Sequence, residues 1–163
     1  MTQAFIALGS NLENPIQQVN AAFLALEKIP QTKLIKKSSL YQTAPIGYEE
    51  GEIAKIPDFI NAVAEVDTNL SPFALLAEIL NIENHAGRLR PYPNAPRVLD
   101  CDLLLYGDTV MQTDTLRLPH PRMHTRGFVL LPLFEIAPQL TMPNHGKIAT
   151  LMTDEVKQGV KKI

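Results

Sequence analysis

Hydrophobic and polar residues follow first a strand pattern and then a helix pattern at the start of the chain. The apolar run at residues 4–8 stops at the Gly-Ser-Asn of residues 9–11, which predicts a buried strand entering a structural turn. Apolar residues then recur at helical spacing. Asn14 suits the N-cap of this helix and Pro15 its first position, while Pro30 ends it.

Two more strands and a second helix follow. Residues 34–41 and 59–66 have the composition of strands, and the loop between them is rich in proline and glycine. Alternation along the second of these strands gives it an apolar face. The residues on that face are Ile60, Ala62, Ala64 and Val66. A second helix is expected to begin at Pro72 and to end near Gly87.

The rest of the chain completes a βαββαβ order. Residues 98–106 predict a fourth strand, and Gly107 turns the chain toward an expected edge strand around Val110. Helices are expected at residues 126–136 and 148–160. This order is typical of a ferredoxin-like α+β fold. We therefore expect an antiparallel sheet with both core helices on one face, an edge hairpin and additional C-terminal helices.

Composition restricts the classes of function. The 163 residues, 45% hydrophobic and 20% charged, predict one globular catalytic domain over residues 1–163. The net charge of −2 offers no general attraction to nucleic acid or to an anionic membrane. Cys101 is the single cysteine, and the sequence has neither a signal-peptide pattern nor about 18 consecutive apolar residues. We expect a cytoplasmic protein with no nucleic-acid and no membrane partner.

Asp100 and Asp102 interrupt an otherwise apolar strand. Residues two apart on a strand point to one face, with their backbones roughly 6.5–7 Å apart. Magnesium is usually bound by one or two carboxylates together with substrate phosphates, so the pair is a candidate metal site for a nucleotide substrate. The alternative is a solvated pair on an exposed strand face. Cys101 points to the opposite face and is interpreted as a packing residue.

A proline-rich loop with three arginines ends just before the aspartates. These arginines are Arg88, Arg90 and Arg97. A guanidinium group makes permanently charged, bidentate contacts with phosphate oxygens, so the loop is a candidate phosphate-binding lid. The alternative is a set of solvated surface arginines.

Phe59 and Asn61 share the strand face opposite the apolar one. A flat ring beside an amide suits a flat heterocycle, although a core phenylalanine beside a hydrogen-bonded asparagine is the simpler alternative. Further along, His120, Arg122, Arg126 and Phe128 stand close together in sequence. They are candidates for contacts with a nucleotide and its partner, and the alternative for His120 is an ordinary surface or core histidine.

Four fragments of the chain, in this order and at these separations, resemble the 6-hydroxymethyl-7,8-dihydropterin pyrophosphokinase family. They are residues 7–12 (Ala-Leu-Gly-Ser-Asn-Leu), 59–62 (Phe-Ile-Asn-Ala), 96–103 (Pro-Arg-Val-Leu-Asp-Cys-Asp-Leu) and 118–130, which begins Leu-Pro-His-Pro-Arg-Met. The resemblance implies magnesium-dependent transfer of pyrophosphate from ATP to the pterin alcohol, with AMP released, in folate biosynthesis. It also implies a monomer.

The resemblance assigns roles to individual residues. It implies two Mg²⁺ ions on Asp100 and Asp102, with ATP as co-substrate. The catalytic residues that it implies are Arg88, Arg97, Asp100 and Asp102. The pterin-binding residues are Thr43, Pro45, Ile46, Phe59, Asn61 and Phe128. The ATP-binding residues are Glu83, Arg90, Leu103 through its backbone, Arg117, His120 and Arg126.

Three other functions are compatible with parts of the pattern. A ferredoxin-like sheet with a strand aromatic is also found in RNA-binding modules, but this chain lacks an aromatic-rich RNP1-type strand and a basic footprint. A non-catalytic sensor of a heterocycle would keep Phe59 and Asn61 without needing paired carboxylates. A metal-dependent nuclease would use the carboxylates but would cleave nucleic acid.

Overall fold

The computed structural model describes residues 1–12, 14–44, 58–86 and 98–163. The longer strands are β1 (Thr2–Ser10), β2 (Thr32–Lys37), β3 (Tyr41–Thr43), β4 (Phe59–Thr68) and β5 (Asp100–Tyr106). The short strands are β6 (Met111–Gln112), β7 (Arg117–Leu118), β8 (Thr141–Met142), β9 (Gly146–Lys147) and β10 (Val160–Lys162). The helices are α1 (Pro15–Glu27), α2 (Pro72–Ala86), α3 (Gly127–Ile136) and α4 (Asp154–Lys157), with 3₁₀ turns at Met123–Thr125 and Ile148–Leu151.

The main sheet is antiparallel and is built around β4. Its strand order is β10-β3-β4-β1-β5. β2 lies on the same side of β4 as β3: β3 pairs with residues 59–61 of β4, and β2 pairs with residues 64–68. The predicted strands at residues 4–8, 59–66 and 98–106 and the predicted helices at 72–87 and 126–136 are all present, with ends shifted by a few residues. The expected ferredoxin-like α+β fold is confirmed.

One face of the sheet packs against α1 and α2. The predicted apolar face of β4, residues Ile60, Ala62, Ala64 and Val66, is buried there together with side chains of both helices. Val19, Phe23 and Leu26 from α1 and Leu75 and Ile79 from α2 fill the same core. Both core helices therefore lie on one side, as the βαββαβ order predicts.

The opposite face of the sheet is covered along half its length by α3. Phe5 of β1, Val63 of β4 and Leu104 of β5 are buried there against Leu130 and Leu133 of α3. The middle of β4 is thus buried on both faces, and its residues are buried almost without interruption. Because α3 covers only part of this face, the end of the sheet near Phe59 and Asp100 is left for a cavity.

Three predicted elements differ from the structure. The expected strand at residues 34–41 is two strands, since Ser38 and Ser39 interrupt it with side-chain hydrogen bonds. Ser38 Oγ accepts the backbone N–H of Val63 at 2.9 Å, and Ser39 donates its N–H and hydroxyl to the Glu135 carboxylate at 3.0 and 2.8 Å. These side-chain bonds to distant parts of the chain take the place of a regular strand ladder at residues 38 and 39.

The expected helix at residues 148–160 is wrong. A 3₁₀ turn, the four-residue helix α4 and strand β10 occupy this segment. Gly159, with φ +77°, turns the chain out of the helical direction and into β10.

The edge strand expected around Val110 is also displaced. In the described part of the chain, β6 pairs with β7 in a separate two-stranded sheet rather than extending the main one. At the first turn, Gly9 and Ser10 belong to β1, so the predicted turn begins later than residue 9. Asn14 lies at the N-cap of α1 with φ 61°, but its side chain makes no capping hydrogen bond.

No helix in the described ranges is both long enough and apolar enough to cross a membrane.

Two histidine rings stack beside α3. His124 precedes the helix and His145 lies in the β8–β9 hairpin, with ring centroids 4.2 Å apart and planes inclined by 16°. Burial and, to a lesser extent, His124 lower the pKa of His145. The folded protein therefore disfavours protonated His145 and loses stability as the pH falls below about 6.5 toward the lowered pKa.

We expect His145→Gln to reduce the fall in melting temperature between about pH 7 and pH 5.5, because glutamine carries no titrating group. Thermal unfolding across this range measures the slope. His85→Gln is the control, since His85 is exposed on α2 and should leave the wild-type slope unchanged. A wild-type slope in His145→Gln would contradict the prediction.

Candidate functional site

A row of paired residues crosses the open end of the sheet. Tyr41 on β3 pairs with Asn61 on β4, Asn61 pairs with Gly9 on β1, and Gly9 pairs with Asp100 on β5. Directly paired residues of an antiparallel sheet project to the same face. Gly9 therefore separates the asparagine amide from the aspartate carboxylate without placing a side chain between them.

The lack of a side chain at Gly9 opens a cavity. A Cβ built on Gly9 would lie 3.1 Å from Asn61 Oδ1, tighter than an ordinary contact. The space above it is a cavity of about 380 Å³, within the size range of small-molecule sites. Its lining consists of Ala7, Leu8, Gly9, Thr43, Ala44, Phe59, Asn61, Asp100, Asp102, Arg122, Arg126, Phe128 and Val129.

The amide of Asn61 is held in place within this lining. Asn61 Nδ2 donates to Thr43 Oγ1 at 3.0 Å, and both residues are buried. This bond fixes the orientation of the amide plane and turns its carbonyl oxygen toward Gly9 and the cavity. A buried, oriented amide can accept a hydrogen bond from a ligand without first reorganising.

Two phenylalanines line the cavity from different elements. Phe59 begins β4, and Phe128 lies in the first turn of α3. The guanidinium carbon of Arg126 is 5.5 Å from the centroid of the Phe128 ring, a cation–π arrangement. With Arg122 also in the lining, the cavity offers two aromatic faces and two cations, which suits a flat ring that carries or approaches negative charge.

Asp100 and Asp102 reach the cavity from the edge of the sheet. Both line it, as the two-residue spacing on β5 predicts, with Asp100 partly buried and Asp102 exposed. The hydroxyl of Ser10 donates to the carbonyl of Val98, which ties the start of β5 to the end of β1. Cys101 is buried in the opposite core, so its interpretation as a packing residue is confirmed. Burial, followed by the nearby carboxylates, raises the pKa of its thiol.

The carboxylate pair fits magnesium. Two carboxylates on one strand face, open to a cavity, are the protein ligands that Mg²⁺ takes when substrate phosphates complete its coordination. Within the described ranges no cluster of three or more His, Cys, Asp or Glu side chains is placed to hold a metal ion. Asp100 and Asp102 are the residues that would hold Mg²⁺.

His120 lies beside the carboxylates, although it is not part of the cavity lining. Its backbone N–H donates to the Leu104 carbonyl at 2.9 Å, just after a cis peptide bond between Leu118 and Pro119. Burial lowers the pKa of His120, Asp102 opposes this shift, and the charges of two arginines contribute to it. These arginines are Arg126 and Arg122. His120 therefore lies within the electrostatic field of both the acidic and the basic groups of the site.

The structure brings together only some of the predicted site residues. Those that line the cavity are Thr43, Phe59, Asn61, Asp100, Asp102, Arg126 and Phe128. Those outside its lining are Glu83, Leu103, Arg117 and His120. The Leu103 side chain is buried toward the helices, while Arg117 is exposed on β7. The predictions for Pro45, Ile46, Arg88, Arg90 and Arg97 fall outside the described residues.

Several lining residues were missed at the level of sequence. Ala7 and Gly9 were assigned to a strand and a turn, although they form the floor of the cavity. Their small side chains at alternate positions of one strand were the available signal. Arg122, one of the two arginines named as candidates for contact with a nucleotide, does line the cavity, and its place there depends on how the 3₁₀ turn packs.

Glu83 acts on the strand that carries the aspartates. It is buried on α2, and its Oε2 accepts the Cys101 backbone N–H at 2.7 Å. A charged acceptor makes a stronger hydrogen bond than a neutral one, and an unpaired buried N–H is costly. This contact holds the peptide between Asp100 and Asp102 against α2.

We expect Glu83→Ala to lower the free energy of unfolding by about 2 kcal/mol, because the buried Cys101 amide loses its acceptor. Glu83→Gln keeps a carbonyl oxygen and should cost about half as much. Urea denaturation measures both. Glu78→Ala, on the same helix and partly exposed, is the control and should change stability by less than about 0.5 kcal/mol. Equal stability of Glu83→Ala and wild type would contradict the prediction.

The fold and the cavity together define an α+β protein that acts on a small molecule. Comparison with known proteins identifies it more closely. Residues 5–138 match the sequence model of the 7,8-dihydro-6-hydroxymethylpterin-pyrophosphokinase (HPPK) family. The chain therefore belongs to this family, whose members are pyrophosphokinases of folate biosynthesis that use ATP. The prediction of an enzyme is confirmed.

Two bacterial relatives match almost the whole chain. The 2-amino-4-hydroxy-6-hydroxymethyldihydropteridine pyrophosphokinase of Haemophilus influenzae is 44% identical over 158 residues, which cover 97% of this chain and 93% of the relative. The protein of the same name from Pseudomonas aeruginosa is 38% identical over 161 residues, with 99% and 96% covered. The match therefore includes every element that lines the cavity.

Solved structures support the fold. Wild-type Plasmodium falciparum HPPK-DHPS has a TM-score of 0.73 at 18% identity, over 99% of this chain and 48% of that one. A second HPPK-DHPS structure, in complex with substrates, has a TM-score of 0.73 at 15% identity. This chain thus spans about half the length of those solved chains.

Proposed function

We propose that this chain transfers the pyrophosphoryl group of ATP to 6-hydroxymethyl-7,8-dihydropterin, in a reaction that depends on Mg²⁺ and releases AMP. The hydroxymethyl oxygen of the pterin forms a bond to the β-phosphorus of ATP. The bond between this phosphorus and the oxygen that bridges to the α-phosphorus breaks. The pterin alcohol loses its proton, and AMP leaves with the bridging oxygen.

The aromatic and amide side chains of the cavity support a pterin site. Phe59 and Phe128 offer aromatic faces to a flat bicyclic ring, and both line one cavity. Asn61, oriented by Thr43 at 3.0 Å, offers its carbonyl oxygen to the amino and ring N–H groups of a pterin. The open floor at Gly9 lets the ring approach this amide closely. Pro45 and Ile46 are proposed to complete the pocket.

The basic residues at the cavity support a phosphate site. Arg122 and Arg126 line it, and His120 lies near Asp102 and both arginines. Arginine makes charge-assisted contacts with phosphate oxygens. We propose that Arg126 and His120 contact the phosphates, and that Arg117, Glu83 and the backbone of Leu103 support the nucleotide. Arg88, Arg90 and Arg97 are proposed to contact the transferred group from their loop.

Asp100 and Asp102 are the proposed ligands of two Mg²⁺ ions. When bound, Mg²⁺ neutralises phosphate charge and polarises the phosphorus–oxygen bonds of ATP. The contribution of the chain itself is positioning: β5 holds both carboxylates on one face, and the Gly9 row places them beside the pterin amide site. Transfer between phosphates depends chiefly on such in-line placement and charge neutralisation.

A single observation carries the proposal. Asn61, Gly9 and Asp100 are directly paired across three neighbouring strands, and Asn61 and Asp100 line one cavity, which supports a heterocycle site and a metal–phosphate site side by side. A sensor would need only the first site, and a nuclease only the second. A transfer between two bound small molecules requires adjacent sites, and in this row only Gly9 stands between Asn61 and Asp100.

The test is AMP release from ATP, followed chromatographically with purified protein. The full reaction contains 6-hydroxymethyl-7,8-dihydropterin and Mg²⁺, and the controls omit the pterin or add a chelator. AMP that depends on both, with pterin diphosphate formed in equal amount, is the expected result. ADP would indicate ordinary phosphoryl transfer, and pterin binding without turnover would favour the sensor.

A further inference from the structure

The segment at residues 153–162, here called the brace, crosses from α3 to the main sheet. Thr153 caps its short helix α4, with Oγ1 accepting the Val156 N–H at 3.2 Å. Gly159, at φ +77°, then turns the chain into β10. These local features shape the segment so that its two ends contact different walls of the cavity.

The first contact is with the strand wall of the cavity, which carries Phe59 and Asn61. β10 pairs antiparallel with β3, and Val160 stands opposite Thr43. Thr43 is the residue that accepts the hydrogen bond from Asn61 Nδ2 at 3.0 Å. The brace therefore forms the outer neighbour of the strand that orients the Asn61 amide, and it covers what would otherwise be the edge of β3.

The second contact is with the helix wall of the cavity, which carries Phe128 at the start of α3. Gly127 begins α3 between Arg126 and Phe128, and it packs directly on the brace backbone. A Cβ built on Gly127 would lie 1.9 Å from the carbonyl oxygen of Val156 and 3.1 Å from Val160 Cγ2. A backbone oxygen at such a distance leaves no room for any side chain. The start of α3 is therefore seated on the brace.

A polar cluster around Glu135, about two helical turns after Gly127 on α3, also connects α3, β3 and the brace. Glu135 of α3 accepts the Tyr41 hydroxyl of β3 at 2.8 Å, and Lys162 Nζ of the brace lies 3.9 Å from Glu135 Oε2. Hydrogen bonds from Tyr41 and Ser39 outweigh burial and lower the pKa of Glu135, so the carboxylate stays ionised at neutral pH. The strand wall, the helix wall and the brace thus meet at two places.

We propose that the brace is a positioning segment that sets the distance between the strand wall, with Phe59 and Asn61, and the helix wall, with Phe128. It fixes the width of the slot for a flat heterocycle without contacting the ligand itself. This inference rests on the proposed pterin site. It assigns to residues 153–162 a role in substrate affinity, through Val160 on one wall and Gly127 on the other.

The test compares substitutions at two glycines that have the same left-handed backbone conformation. Gly159 in the brace has φ +77° and Gly146 in the β8–β9 hairpin has φ +76°, and a Cβ on either would meet nothing within 4 Å. Gly159→Val and Gly146→Val therefore introduce the same local strain at two places. We expect Gly159→Val to weaken binding of the pterin by roughly fivefold to tenfold, since fewer molecules hold the slot at its proper width.

Gly146→Val should bind the pterin with wild-type affinity. Isothermal titration with the pterin gives the dissociation constants, and faster hydrogen exchange at residues 158–163 shows that the brace has loosened. Gly127→Ala tests the same contact from the helix side and should also weaken pterin binding, because its methyl group displaces α3 from Val156.

The outcomes separate the two proposals. Wild-type protein that does not bind the pterin would overturn the proposed function and the brace with it. Wild-type binding, with unchanged affinity in both Gly159→Val and Gly127→Ala, would overturn the brace alone. Equal loss of affinity in Gly159→Val and Gly146→Val would show a general effect of instability and would also overturn it.

Discussion

Replacing Asp102 with asparagine is expected to reduce turnover by roughly a thousandfold or more, because the site loses one of the two carboxylates proposed to hold the Mg²⁺ that neutralises phosphate charge. Asparagine keeps the size of the side chain and removes only its charge. Since Asp102 is exposed, the free energy of unfolding should change by less than about 0.5 kcal/mol. Pterin- and ATP-dependent AMP formation is the measurement, and Asp100→Asn should behave similarly in turnover.

Asp108→Asn is the matched control. Asp108 is exposed and follows the same strand after Gly107, so this variant loses the same charge away from the cavity. It should retain wild-type turnover. Binding of Mn²⁺ to each protein in the presence of a non-hydrolysable ATP analogue gives a second readout, which should weaken only for Asp100→Asn and Asp102→Asn. Near-normal turnover in either of these two variants would refute the metal assignment.

Gly9→Val is expected to abolish pterin binding over the measurable range, a loss of roughly a hundredfold or more, because its side chain fills the floor of the cavity. The first added atom already lies 3.1 Å from Asn61 Oδ1, and the two γ-methyl groups extend further into the space beside Asp100. Gly9→Ala adds only the first atom. It should cause a smaller loss, so that the two variants form a graded series.

Gln3→Val controls for a new β-branched residue on β1. Gln3 is exposed at the other end of the strand, distant from the cavity lining. Titration with the pterin should show wild-type affinity for Gln3→Val, and thermal unfolding should show that Gly9→Val remains folded. A Gly9→Val protein that binds the pterin normally would mean that the ligand does not occupy the cavity above this glycine.

The core of the fold could be predicted because its patterns are long and regular. The alternation over residues 59–66 fixes which face of β4 meets the helices, and it does so correctly. The segments that were mispredicted are short and depend on tertiary contacts. Ser39 leaves the strand direction because Glu135, 96 residues away, accepts its hydrogen bonds. No local pattern contains that partner.

The candidate site, too, has features that follow from local sequence and features that depend on tertiary packing. The shared orientation of Asp100 and Asp102 follows from strand geometry alone, since they are two residues apart. That Phe128 lies against the same cavity as Phe59 depends on how α3 packs across the sheet. From the residues alone this meeting could not be deduced, and only the family resemblance indicated it. The role of Gly9 could not be predicted from the sequence either, because it depends on its partners on the two adjacent strands, Asn61 and Asp100.

Among the described residues, the walls of the cavity come from five stretches of the sequence: residues 7–9, 43–44, 59–61, 100–102 and 122–129. Local opening of any one of these strands or of α3 removes part of the binding surface. A bound ligand is therefore linked to the cooperative unfolding of the whole sheet rather than to a mobile subregion. At a hundredfold excess over its dissociation constant, such a ligand raises the free energy of global unfolding by about 2.7 kcal/mol. If the pterin occupies this cavity as proposed, its binding is expected to slow proteolysis of the protein.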